Sequence, residues 1–279
     1  MTLNRSRIFQ TFKYTVYAFL AFNVYVFFAE EHAAAKLQFS DGVALLDMIE
    51  AYASTIDTAA WVVLLLMFEL ETFVLEDHHY TKSVTWTLQL VRMVCYAFII
   101  YSFYGYVVNL TFLNGMTPLT GVDNLCSLAG QWSYGIDHDE YMAISAVNCG
   151  SLSPASSFLQ FPGMNAVVDA QGFADIRMLS WVDVINSAVW LLVVLVLEVD
   201  VRLQERNRFE GTALRVSNAL KVVLYSILFL AAIYWGFKGD FVDFWDAFLW
   251  LVAFFFIELN VVEWRKESAQ TEAALAAHV

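Results

Sequence analysis

Apolar residues in this chain come in long unbroken runs, not in the alternation of a half-buried strand or the single stripe of a soluble helix. Runs of the roughly 20 residues needed to cross about 30 Å of hydrocarbon are read at about 11–29, 58–75, 88–112, 181–201, 217–236 and 243–263. The pattern predicts six transmembrane helices. Arg5, Arg7 and Lys13 before the first run imitate the start of a signal peptide. That run is longer than a signal-peptide core and lacks a good small-residue cleavage pattern, so it is read as a retained helix. Two connecting stretches stand out. Residues 39–56, "FSDGVALLDMIEAYASTI", read as a short amphipathic helix on the outer interface. Residues 113–178 hold all three prolines and many Gly, Ser and Asn, which marks a turn-rich loop long enough to form a small ordered cap. The tail "ESAQTEAALAAHV" reads as a frayed helical end.

Aligning the ends of the even-numbered runs shows internal repetition. "WVVLLLMFELE" (Trp61 to Glu71), "WLLVVLVLEVD" (Trp190 to Asp200) and "WLVAFFFIELN" (Trp250 to Asn260) share Trp, seven apolar residues, Glu, one apolar residue, then Glu, Asp or Asn. The odd-numbered runs agree too: "KYTVYAF" from Lys13, "RMVCYAF" from Arg92 and "KVVLYSI" from Lys221 each place Tyr four residues after a base. The expected fold class is therefore all-α, a single membrane domain over 1–279. It comprises three tandem helical hairpins (10–76, 84–205 and 216–267) with a pseudo-threefold internal repeat, and the second hairpin carries the 113–178 insertion.

Composition agrees with the membrane reading: of 279 residues 59% are hydrophobic and 15% charged, and the mean hydropathy is +0.58. Charge then sets an orientation. With the N-terminus inside, 12 of the 15 bases fall on the cytoplasmic segments, as the positive-inside rule requires. The inner segments are then neutral, and the whole net charge of −13 falls on the outer ones. Both termini are expected in the cytoplasm of an inner (plasma) membrane, with the acidic loops outside. Cys126 and Cys149 both lie in the outer loop, where an oxidising compartment permits a disulfide, whereas Cys95 lies in a predicted helix.

The candidate chemistry lies at the cytoplasmic ends of the runs. At 1.5 Å per residue, Tyr17, Tyr96 and Tyr225 lie about 6 Å deeper than Lys13, Arg92 and Lys221. Glu69, Glu198 and Glu258 fall at the same level on the returning helices. Ionised groups facing lipid are costly, so these glutamates should face the protein and be paired. Glu71, Asp200 and Asn260, two residues further on, point to another side of the helix, towards headgroups, water or a neighbouring hairpin. As packing devices, the clusters fix how hairpins meet. As a function, three glutamates around a threefold axis would make an inner ring that binds cations or protons.

Other groups point nowhere sharper. "EDHH" (76–79) and "DHDE" (137–140) contain metal-ligand types without the helical spacing of a zinc site and read as solvated loop. Asp57, Asp183 and Asp246 read as helix-start carboxylates. Asn109 opens the glycosylation triplet "NLT" but abuts a span. No catalytic residues, metal or cofactor are expected, and an enzyme is the less favoured class. The leading expectation is ion or proton translocation by a channel-like homo-oligomer or complex member, its partners being the lipid bilayer and cations or protons, without nucleic acid. The alternatives are a non-conducting accessory or assembly subunit of a larger membrane complex, and a membrane enzyme acting on lipid or quinone.

Overall fold

The computed structural model describes residues 2–39, 42–44, 47–71, 75, 81–154, 157–205 and 211–256. It is mostly helical. Helix α1 is Thr2–Gln38, α2 Met48–Ala51, α3 Ala53–Glu69, α4 Lys82–Phe112, α5 Ala170–Glu205 and α6 Gly211–Lys238. A seventh, α7, covers 241–256, up to the last described residue. α1, α4, α5 and α6 are long and apolar enough to cross a membrane. α3 and α7 occupy the places of the second and sixth predicted runs. The 17 residues of α3 reach only about 26 Å, somewhat less than a bilayer core.

The starts of α4, α5 and α7 are set by side chains that satisfy their first backbone N–H groups. Thr81 caps α4, its Oγ1 accepting from Val84 N at 3.3 Å. Asp169 Oδ1 accepts from Gly172 N at 2.7 Å at the head of α5, and Asp240 Oδ1 from Asp243 N at 3.2 Å at the head of α7. The expected amphipathic helix over 39–56 is instead the four-residue α2 followed by the first turn of α3.

The chain forms two compact units, 24–224 and 1–23 with 225–279. In the first, α3 packs along α4 and α4 along α5. Trp61 and Trp190, the first residues of two repeated motifs, bring their rings to 5.9 Å. Gly105 lets α4 approach α2 and α3 closely, since a Cβ there would lie 2.9 Å from Ile49 O and 3.1 Å from Ala53 Cβ.

The all-α expectation needs one correction, because the insertion between α4 and α5 folds around a sheet. Its strands are β1 Thr117–Leu119, β2 Ser133–Gly135, β3 Tyr141–Ala143, β4 Phe158–Gln160 and β5 Ala166–Asp169. They are ordered β1-β4-β5-β2-β3, with only the β2–β5 pair parallel. β5 is buried along its length, and its alternating side chains serve two cores. Ala166 and Val168 join Leu113, Phe161, Met164 and Ile176, while Val167 joins Leu125, Ile144, Cys149 and Phe158. The expected Cys126–Cys149 disulfide is formed. Strands of three or four residues are too short for a period of two to register in sequence, so the insertion reads as loop.

In the second unit the first part of α1 packs with α7. Phe9 and Phe12 set their rings edge-on to Phe256, at 5.0 and 5.6 Å. Phe19 meets Trp245 at 5.9 Å. Asn23 Nδ2 donates to Asp246 Oδ1 at 2.7 Å, so Asp246 serves a helix–helix contact and does not cap α7.

Candidate functional site

Two polar layers lie at opposite ends of the helices in the 24–224 unit. The first pairs carboxylates at the ends of α3 and α5 with bases on the helices that follow them. Arg92, near the start of α4, donates through Nη2 to both Glu71 oxygens, at 2.9 and 2.8 Å. Lys221 Nζ on α6 lies 2.8 Å from Asp200 Oδ2 on α5, and Ser217 Oγ donates to the same oxygen at 2.7 Å. In both pairs the carboxylate precedes its base by 21 residues, so each base binds the second polar position of the run before it. Two residues along a helix is about 200° of rotation, which turns Glu71 and Asp200 away from Glu69 and Glu198 and towards the next helix. The next long helix in the chain thus supplies the partner of each of these two residues.

The remaining members of the predicted clusters are distributed as follows. Glu69 is buried on α3. Glu198 is about half exposed on α5, its Oε2 3.9 Å from Arg202 Nε one turn on. Tyr96 is within electrostatic range of Glu198, Arg92 and Glu71, which brings four of the predicted residues into one neighbourhood. Lys13 and Tyr17 are buried in the other unit, with Lys13 Nζ 4.9 Å from the Tyr14 ring centre. Tyr225 follows Lys221 by one turn of α6. Glu258 and Asn260 lie outside the described residues, as does "EDHH".

The second layer gathers at the insertion end. Glu31 on α1 is buried and takes over the start of α3: its carboxylate accepts from Ser54 N at 2.7 Å, Thr55 N at 3.0 Å and Thr55 Oγ1 at 2.6 Å. Asp57, expected to serve that helix start, instead accepts from Trp61 Nε1 at 3.1 Å and Tyr106 OH at 3.4 Å. Asp183 lies well inside α5, within electrostatic range of Tyr106 and His138. Asn109 is buried in α4.

Of residues 137–140, the first two are not solvated, whereas Asp139 is half-buried and Glu140 is exposed. Asp137 and His138 are buried, and the imidazole lies between two carboxylates, with Nδ1 3.3 Å from Asp137 Oδ1 and Nε2 3.7 Å from Asp139 Oδ2. The His138 carbonyl accepts from Gln38 Nε2 at 3.0 Å and Tyr141 OH at 2.6 Å, which ties the end of α1 to β3. Burial opposes the imidazolium, but Asp139, Asp137 and Asp183 outweigh it and hold His138 well above its ordinary value. Sequence reasoning missed Glu31 and Gln38. The only trace of Glu31 was "EE" (30–31) at the end of an apolar run, with nothing local to name a partner more than 20 residues away.

Chemically, the first layer neutralises charge in pairs, and the second concentrates carboxylates around one imidazole. No family model matches the chain, and neither a curated protein nor a solved structure is similar to it.

Proposed function

We propose that this is a multi-pass membrane protein acting as a non-conducting accessory or assembly subunit of a larger membrane complex. The observation that carries the reading is the pairing of Arg92 with Glu71 and of Lys221 with Asp200. A carboxylate that passes cations must exchange its counter-ion, whereas one held at 2.8 Å by a base from the next helix is neutralised by the protein itself. Their common 21-residue spacing supports the tandem-hairpin repeat, and with it six spans, cytoplasmic termini in an inner membrane and an outward-facing insertion.

Ion or proton translocation is the second reading, favoured by the titratable layer of Glu31, Asp57, Asp183 and His138. Between the two layers, α3, α4 and α5 bury Trp61, Leu65, Ile99, Trp190 and Val193, an apolar belt that favours the first reading. Flux in proteoliposomes separates them. Cation and proton flux equal to that of empty vesicles, with co-purification of a partner at fixed stoichiometry from native membranes, is the expected result. Wild-type flux that vanishes in the folded Glu69→Gln/Glu198→Gln/Glu258→Gln variant would overturn it.

A further inference from the structure

We propose that His138 and Asp139, with Asp137 as the positioning residue, form a binding site for a first-row divalent metal ion such as Zn2+ or Mn2+. The imidazole is arranged as a metal-bound histidine commonly is: a carboxylate takes one ring nitrogen, and the ion takes the other by displacing its proton to solvent. Asp137 Oδ1 lies 3.3 Å from Nδ1, which directs Nε2 at Asp139 Oδ2, 3.7 Å away. Two ligand atoms sharing an ion at about 2.0–2.2 Å are separated by roughly 3–3.5 Å, so little adjustment admits the ion between them. One ligand atom from each of the three residues falls within 4.8 Å of the others. The backbone is fixed beforehand, because Gln38 and Tyr141 hold the His138 carbonyl and Asp137 Oδ1 accepts from His138 N at 2.6 Å.

A cavity adjoining the group, which shares Asp139 with it, leaves an ion access to the site. It has a volume of about 410 Å³, runs along α1, and includes Glu30, Asp139 and Glu140 in its wall but no Lys or Arg. There is room beside Asp139 for an ion and the waters that complete its coordination, and the wall attracts cations. Further negative charge acts on the group from Asp183 of α5, which lies within electrostatic range of His138. One imidazole nitrogen with carboxylate oxygens and water suits a borderline divalent ion. Cys126 and Cys149 are spent in a disulfide, so no thiolate there shifts the preference towards softer metals.

The test uses the full chain in nanodiscs, stripped with EDTA and titrated with Zn2+ by calorimetry and with Mn2+ by electron paramagnetic resonance. One saturable ion per chain is expected, with affinity weakened at least about tenfold in His138→Ala and in Asp139→Asn. Asp137→Asn should weaken it by roughly 10- to 100-fold through loss of ring orientation. Asp123→Asn, exposed elsewhere in the insertion, should leave it unchanged. Should His138→Ala fail to form the Cys126–Cys149 bridge, the near-isosteric Asp139→Asn decides. Absence of stoichiometric binding of either ion, or wild-type binding in the folded Asp139→Asn variant, would overturn the site.

Discussion

Asp200 and Glu50 show opposite fates of a carboxylate in an apolar setting. Asp200 has Lys221 and Ser217 within 2.8 Å, and the side chains of the ion pair are only 5% and 12% exposed. Removing one member of a buried pair costs about 3–5 kcal/mol, whereas replacing both by apolar residues is often neutral. Asp200→Asn should therefore lower resistance to SDS unfolding in mixed micelles strongly, and Asp200→Leu combined with Lys221→Met should restore most of it. A double variant as weak as the single one would mean that the pair contributes more than mutual neutralisation. Glu50, on α2, has no such base among the described residues: burial, then the neighbouring Asp47, raises its carboxyl above the ordinary 4.5. A raised carboxyl ionises less readily when folded, so the ionised form costs stability at neutral pH, and the cost fades as pH falls through the folded value towards 4.5. Glu50→Gln should accordingly be more stable than wild type at about pH 7 and match it near pH 4, as thermal unfolding across that range would reveal.

Among elements, one close helix approach and one cross-link each lend themselves to a test. The contact of α4 with α2 and α3 is permitted by Gly105, where an added Cβ meets backbone at 2.9 Å. Backbone cannot yield as a flexible side chain can, so Gly105→Ala should cost roughly 1–3 kcal/mol and increase amide exchange in α3 near Ala53. Unchanged exchange would show that the helices slide apart without penalty. The insertion depends on a different device, since its strands have only three or four residues each and Cys126 and Cys149 close a 23-residue separation. Chain-entropy reasoning gives that bridge about 3 kcal/mol. Reduction should raise exchange in β4 and β5 while leaving α4 and α5 protected, a pattern that mass spectrometry of exchanged peptides resolves.

For the whole molecule, the distribution of bases predicts that Thr212 and Gln131 lie on opposite sides of the membrane. An impermeant thiol reagent should label Gln131→Cys in right-side-out vesicles and Thr212→Cys only in inverted ones; labelling of both from one side would reject the topology. The helices themselves were legible in the sequence, because continuous apolar runs fold as helices wherever backbone groups lack water to bond, and α1, α4, α5 and α6 have the length and composition to cross a membrane. The disulfide was legible as well, from two cysteines in one turn-rich loop. Which carboxylate meets which base was not: the repeats place Glu69 and Glu71 two residues apart, and only the packing of α3 against α4 gives Arg92 to Glu71. The sheet, the service of Glu31 to a distant helix start and the enclosure of His138 likewise escaped the sequence. Each joins segments far apart in the chain, and such pairings are settled by the arrangement of helices in space, whereas apolar length is a property each segment carries alone.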